Sequence, residues 1–257
     1  MTVSYQLPQE VNRLTKTFKR EHNYPASLSK KIDAHLEVDR LFVCVKQGEK
    51  AISSLRQLGL YCPNTIIEST SQGTRSQIFF FHNIYLAVIW LGDKSQPQDL
   101  AIDFAARVNW QDSLSSPFGI GLSRKKSRLW LGDNPYPVDD LIINHHVGYS
   151  QQNQKNSLEP LVFMLPDRLK YSQILNQKLP QNQKYLNHPL GVNKITQIKM
   201  SAQPGKRRDS QIISWIKSHQ LLEIERTQAP LMELTFDNGV KGKIFDARPT
   251  LPIIFRY

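Results

Sequence analysis

Four residues of this sequence have side chains suited to proton transfer or metal binding and lie on or beside predicted strands. His145 and His146 fall in the second half of a predicted strand, His188 precedes a proline, and Glu233 lies between apolar residues of another strand. Imidazole titrates near neutral pH, so His146 and His188 are the best candidate proton carriers. Structural roles stay open, because a His pair on a strand places one ring on each face and Glu233 can face solvent.

A further candidate is Arg40, on a predicted strand over residues 38–45. Strict alternation places Arg40, Phe42 and Cys44 on one face, opposite an apolar face that can pack on a helix. A guanidinium binds carboxylates and phosphates in a fork geometry. No base partner for the Cys44 thiol is identifiable. The sequence contains no Ser-His-Asp series, Walker loop or cysteine-pair zinc motif.

The elements that would position Arg40 form a unit of β-α-β-β-β order over residues 38–92. After the first strand, Ala51, Ile52 and Leu55 lie on one stripe of a predicted helix that ends at Gly59. Short extended segments follow at 60–62 and 65–67, and a hairpin is predicted around His82-Asn83.

The same order recurs over residues 188–257. Ile212, Ile213 and Ile216 repeat the spacing of the first helix, and Asn238-Gly239 predicts a type I′ hairpin. Two such units side by side would curl their sheets around a common cleft, where a ligand would bind. The predicted fold class is α+β, with paired β-α-β-β-β modules forming a half-open barrel around a central cleft. Residues 93–187 are predicted to supply intervening strands and loops.

Charge and cysteine content restrict the function classes. The chain has 33 Lys and Arg against 22 Asp and Glu, a net charge of +11, and residues 168–208 hold nine basic residues and no acidic one. That segment favours either a nucleic-acid surface or, given its many Gln and Asn residues, a basic connecting segment. Residues 1–37 are predicted to form a basic helical leader. Two cysteines, no signal peptide and no membrane-length apolar run predict a cytoplasmic protein.

Five colinear segments carry a family resemblance. They are 38–45 (VDRLFVCV), 71–75 (SQGTR) leading to 79–86 (FFFHNIYL), 116–120 (SPFGI), 187–192 (NHPLGV) and 246–252 (DARPTLP). Together they resemble a glyoxalase-like subgroup of the vicinal oxygen chelate superfamily, which includes glyoxalases, bleomycin-resistance proteins and extradiol dioxygenases. The resemblance implies paired β-α-β-β-β modules that form a half-open barrel, usually around a divalent metal.

The implied metal site is altered at two positions. A His commonly follows the Asp of the first strand, where this chain has Arg40, and a Glu is expected after Tyr85-Leu86, where it has Ala87. A guanidinium stays protonated and a methyl group has no lone pair, so neither coordinates a cation. We therefore expect no metal and no cofactor. His145, His146, His188 and Glu233 are the remaining donors that could rebuild such a site.

Arg40 would then stand in the metal's place. It would either anchor a ligand electrostatically or pair with an internal carboxylate such as Glu233, and both interpretations stay open. The leading hypothesis is a glyoxalase-like protein that binds a small anionic organic molecule in the cleft. If it is an enzyme, a metal-independent isomerase, cyclase or lyase would use Arg40, His146 and His188. The expected ligand-binding residues are Gln72, Thr74, Arg75, Phe80, Tyr85, Glu233 and Arg248. The alternative is a non-enzymatic interaction protein that binds nucleic acid or an acidic partner through residues 168–208.

Overall fold

The first module follows the predicted order of elements. The computed structural model describes residues 36–92, 102–125, 140–144, 147–173, 183–203 and 208–257, and only the backbone of 141–144. The module contains β1 (Leu36–Cys44), α1 (Gly48–Leu58), β2 (Ile67–Ser69), β3 (Thr74–Phe80) and β4 (Tyr85–Leu91). β1 pairs in parallel with β4, and β3 pairs antiparallel with both β4 and β2. The predicted hairpin at residues 82–83 is confirmed, whereas residues 60–62 are not a strand.

α1 forms because its sequence separates an apolar stripe from a polar face. Ala51, Ile52 and Leu55 are buried, and they belong to the same core as Leu41 and Val43 of β1. Gly59 ends the helix at φ 98°, a left-handed conformation that costs glycine little. Its N–H donates to the carbonyls of the last turn. The helix therefore covers one face of β1 and leaves the face of Arg40 and Phe42 to the other side of the sheet.

The strands that continue the sheet beyond β1 come from residues 118–164. After α2 (Phe104–Val108) and α3 (Trp110–Ser113), the chain forms β5 (Phe118–Arg124), β6 (Leu141–Asn144), β7 (Val147–Ser150), α4 (Gln151–Gln154) and β8 (Leu161–Met164). The order in the sheet is β2-β3-β4-β1-β5-β8-β7-β6. β5 pairs in parallel with β8 as β1 does with β4, so β5, β8 and β7 repeat the arrangement of β1, β4 and β3. Residues 118–164 are called the second module below. The α+β fold class and the curled half-barrel are confirmed.

The C-terminal segment forms a second sheet of its own. β9 (Ile195–Ala202), α5 (Gln211–Ser218), β10 (Glu223–Arg226), β11 (Leu231–Phe236), β12 (Ile244–Asp246) and β13 (Ile253–Arg256) give the order β10-β9-β11-β13-β12. The sequence predicts that this segment lies beside the first module around a common cleft, but its strands pair only with one another. Both edges of β9 are taken by β10 and β11, and both edges of β1 by β4 and β5, so neither strand has an edge left for the other.

The hairpin predicted at Asn238-Gly239 does not form. Asp237, Asn238 and Gly239 all have positive φ angles, in a single left-handed turn. The Asp237 carboxylate accepts hydrogen bonds from the backbone N–H groups of Asn193 and Lys194, with donor–acceptor distances of 2.9 and 3.0 Å. This capping ties the turn to the chain before β9. The strand that follows pairs with β13 instead of β11.

Two apolar cores result. One lies between α1, the large sheet and the buried face of the small sheet, and includes Leu41, Met200 and Ile213. The other lies on the opposite, concave face of the large sheet and includes Phe42 and Phe104. Among the helices of the described ranges, none is both long and apolar enough to cross a membrane.

Candidate functional site

The concave face of the large sheet holds a cavity of about 320 Å³. It lies between the two modules, under α2 and beside residues 165–173, which follow β8 and are called the strap below. Most of its lining is apolar. Its polar side chains are those of Arg40, Gln72, Ser76, Tyr85 and Tyr149. The lining comprises Arg40, Leu41, Phe42, Ile67, Gln72, Ser76, Ile78, Tyr85, Ala87, Ile89, Ile102, Phe104, Val147, Tyr149, Leu161, Phe163, Leu165 and Leu169.

Arg40 lies at the centre of the sheet, opposite Tyr85 on one side and Gly121 on the other. Its Nε donates to Asp39 Oδ1 at 2.7 Å, and its Nη2 donates to the carbonyl of Leu169. The guanidinium carbon lies 4.7 Å from the centre of the Tyr85 ring, a cation–π contact. The Arg40 side chain is 13% exposed to solvent. Arg40 also shares a side-chain hydrogen bond with Tyr85, so Asp39, Leu169 and Tyr85 together fix the guanidinium in place.

The internal partner of Arg40 is Asp39. The register between β1 and β5 shifts between Val38 and Arg40, so Asp39 pairs with no residue of β5. Such an irregularity re-aims side chains that strict alternation would place on opposite faces. The carboxylate is only 4% exposed, and its second oxygen accepts the Tyr171 N–H at 2.8 Å. Asp39 therefore neutralises Arg40 and holds the strap at the same time.

Tyr171 attaches the strap to the sheet at a second point. The Tyr171 hydroxyl donates to the Phe81 carbonyl at 2.6 Å, and its ring stacks on Phe80 with centroids 6.1 Å apart. It also meets the Tyr85 ring edge-on at 5.5 Å. Burial raises the pKa of Tyr85 to about 12, against the opposing charge of Arg40, so the phenol stays a hydrogen-bond donor at neutral pH.

Aromatic rings and two glycines shape the rest of the cavity. The Phe42 and Phe163 rings stack with centroids 6.1 Å apart, and Phe163 lies 6.3 Å from Tyr149. A Cβ on Gly119 would lie 1.9 Å from the Phe42 ring, and one on Gly121 would lie 2.5 Å from Arg40 Cγ. Glycine at both positions of β5 is what lets these larger side chains lie flat across the sheet.

The metal that the family resemblance implies does not fit the described lining. None of the described residues lining the cavity is His, Asp, Glu or Cys, and the described ranges contain no group of three or more such residues able to hold a metal ion. The second module offers no replacement at the centre, since Gly121 faces Arg40 and β8 contributes Leu161 and Phe163. The expected rebuilding residues His145 and His146 lie outside the described residues.

His188 lies away from the cavity lining and has a structural environment. Its Nδ1 accepts the Tyr61 backbone N–H at 3.0 Å, which places the ring proton on Nε2, 2.9 Å from the Phe80 carbonyl. Burial lowers its pKa, and the hydrogen bond to Phe80 opposes the shift only in part. With both nitrogens bonded inside the protein, His188 joins the segment after α1 to the end of β3 and is not brought to Arg40.

Four other residues that were expected at the site lie outside the described cavity lining. Glu233 pairs with Arg256 at 2.7 Å on the small sheet, so the hypothesis that it pairs with Arg40 is wrong. Arg248 pairs with Asp246 at 2.5 Å on the surface, and Arg75 with Glu68 at 2.9 Å at the edge of the large sheet. Thr74 is buried at the start of β3 outside the lining.

The structure brings together Arg40, Tyr85 and Gln72 at the cavity, with Phe80 behind Tyr85 at 6.1 Å. Sequence reasoning missed Asp39 and the strap. For Asp39 the signal was its position next to Arg40, although strict alternation would place the two side chains on opposite faces. For the strap no local pattern was available, because Tyr171 is 132 positions from Asp39.

A larger groove of about 820 Å³ lies where β1 approaches β9 and β10. Two of its charged residues are paired within the protein, Lys217 with Asp209 at 2.6 Å and Glu225 with Lys199 at 2.8 Å, and burial raises the pKa of a third, Glu37. We favour the smaller cavity as the binding site because it is mostly apolar and centres on a fixed arginine.

The basic segment 168–208 is described in part. Lys170 pairs with Asp167 and Lys199 with Glu225, both at 2.8 Å, whereas 174–182 and 204–207 lie outside the described residues. Nucleic-acid binding by this segment stays a prediction.

Comparisons with known proteins add the following. No family model matches the chain, and no curated protein matches it. A crystal structure of a hypothetical protein from Staphylococcus aureus is similar at 12% identity and a TM-score of 0.49, covering 86% of this chain and 98% of that one.

Proposed function

We propose that this protein binds a small organic molecule in the cleft between its two modules, with Arg40 contacting the polar end of the ligand. The observation that carries the proposal is the 320 Å³ cavity, whose mostly apolar wall surrounds a fixed guanidinium. This volume lies at the lower end of the range of roughly 300–1,000 Å³ for small-molecule sites.

The strand order supports the further proposal that the chain is a divergent, glyoxalase-like member of the vicinal oxygen chelate superfamily. Two modules that meet through β1 and β5 are the arrangement that the resemblance implies. A chemical step is not part of the proposal, because His188 does not line the cavity and His146 lies outside the described residues. Isomerase, cyclase or lyase chemistry would require a proton carrier beside Arg40.

The test is a binding screen with a variant that fills the cavity. Ala87 lines the cavity at the centre of β4, so Ala87→Phe should exclude ligands. Leu91→Phe, on the same strand but exposed, is the matched control. A ligand at a hundred times its Kd should stabilise the wild type by about 2.7 kcal/mol, which raises Tm by about 5–10 °C for a chain of this size.

We expect Leu91→Phe to keep this shift and Ala87→Phe to lose it while retaining the circular dichroism spectrum of the wild type. Ligands that stabilise Ala87→Phe as much as the wild type would place binding elsewhere and contradict the proposal.

A further inference from the structure

Resting on the proposed function, the charge balance of the cleft restricts the chemistry of its ligand. We infer that the cleft selects a planar aromatic or conjugated molecule with one uncharged or singly charged acceptor group, a ketone or a monocarboxylate, and discriminates against phosphate esters. Three features carry this inference: the neutralised arginine, the donors around it and the aromatic wall.

The Arg40–Asp39 pair leaves the polar end of the cavity close to neutral. Arg40 is the single charged residue in the described lining, and the Asp39 carboxylate lies 2.7 Å from its Nε. A monoanion gains a charge-assisted hydrogen bond from the guanidinium. A phosphate dianion would bring a second negative charge into a mostly apolar cavity with no second cation among the described lining residues, and desolvating it is unfavourable.

The polar side chains of the lining include hydrogen-bond donors. Arg40 and Tyr85 share a side-chain hydrogen bond, and the Tyr85 phenol remains protonated at neutral pH. Gln72 adds an amide at the edge of the lining. These groups complement an acceptor such as a carbonyl or carboxylate oxygen.

The apolar end is shaped for a ring. Phe42 and Phe163 stack at an interplanar angle of 22°, and Phe104 lies 6.1 Å from Phe42. Such walls favour flat molecules, because aromatic pairs gain energy in offset or edge-to-face contacts beyond area burial. A volume of about 320 Å³ suits one or two fused rings.

The experiment compares three probes that share one ring system: 2-acetylnaphthalene, 2-naphthoate and 2-naphthyl phosphate, titrated calorimetrically at pH 8, where the phosphate is a dianion. We expect the first two to bind the wild type at least tenfold more tightly than the phosphate. Asp39→Asn adds one net positive charge and should shrink this ratio at least tenfold. Asp112→Asn, which removes an exposed pair with Lys46, should leave the ratio unchanged.

A wild-type measurement covers the case in which Asp39→Asn does not fold. Lowering the pH from 8 to 5 removes one charge from naphthyl phosphate, whose second pKa is about 6, and its affinity should rise while that of naphthoate stays constant. Naphthyl phosphate that binds the wild type at pH 8 as tightly as naphthoate overturns the inference and leaves the proposed function standing. Failure of all three probes also overturns the inference, while the Ala87→Phe screen decides the proposed function.

Discussion

Removing the Asp39 carboxylate should destabilise the fold, because this group neutralises Arg40 and holds the strap. It is 4% exposed and accepts hydrogen bonds from Arg40 Nε at 2.7 Å and Tyr171 N at 2.8 Å. Breaking a buried ion pair by removing one partner costs about 3–5 kcal/mol. Asn keeps one acceptor, and Arg40 keeps 13% exposure, so we expect Asp39→Asn to cost about 3 kcal/mol and to lower Tm by about 6–12 °C.

The double-mutant cycle isolates the interaction. Arg40→Met alone leaves the Asp39 carboxylate without its cation and should also cost about 3 kcal/mol. The double variant should cost about the same as either single change, which gives a coupling energy of about 3 kcal/mol. Urea unfolding followed by circular dichroism measures all four proteins.

The control is Asp112→Asn, whose side chain is 74% exposed beside Lys46 and whose loss should change stability by less than about 1 kcal/mol. If the two single costs add to within about 0.5 kcal/mol in the double variant, Asp39 and Arg40 do not act as a pair and the reasoning is refuted.

Three further predictions test the metal, the basic segment and the buried histidine. Dialysed protein should hold no stoichiometric iron, zinc, nickel or manganese by elemental analysis, because Arg40 and Ala87 stand where ligands are expected; one bound equivalent would contradict this. If residues 168–208 bind nucleic acid, affinity in mobility-shift assays should fall steeply from low to moderate salt as counterions are released; no shift even at low salt would leave the segment a connector. The folded pKa of His188 lies below its usual 6.5, so below pH 6.5 the unfolded chain binds more protons and stability should fall, by at most about 1.4 kcal/mol per pH unit. His188→Gln should flatten this slope between pH 7.5 and 5 in urea titrations; an unchanged slope would assign it to other groups.

Local patterns predicted elements well and strand pairing poorly. The stripe of Ala51, Ile52 and Leu55 predicts a helix with one buried face, and the structure has it. The similar stripe around Ile213 also forms a helix, yet its unit pairs within its own sheet. An apolar stripe indicates that one face of a helix is buried, but it does not indicate which element packs against that face. Pairing of β1 with β5 joins residues about 80 positions apart, and each strand shows the same alternation whichever neighbour it has.

The candidate site shows the same division. The shared face of Arg40 and Phe42 follows from alternation, and both line the cavity. Strict alternation would place Asp39 on the opposite face, and the register shift beside it depends on the pairing with β5. The second module's contribution, Gly121 and Phe163, could not be recognised while that module was placed at 188–257.

The geometry around Arg40 also explains why exchanging two residues would not create a strong metal site. Arg40→His with Ala87→Glu supplies two donors from the first module. Positions 40 and 87 lie on adjacent parallel strands and are offset, since Arg40 pairs with Tyr85 and Ala87 with Phe42. The facing strands supply Gly121 and Phe163 instead of donors, and a structural zinc site needs four ligands, a catalytic one three. Asp39 would lose its cation at the same time, and the exchange would therefore weaken the contact between Asp39 and the strap. The arginine, its carboxylate and the two glycines of β5 therefore form one packing arrangement, in which charge neutralisation and ring stacking order the cleft.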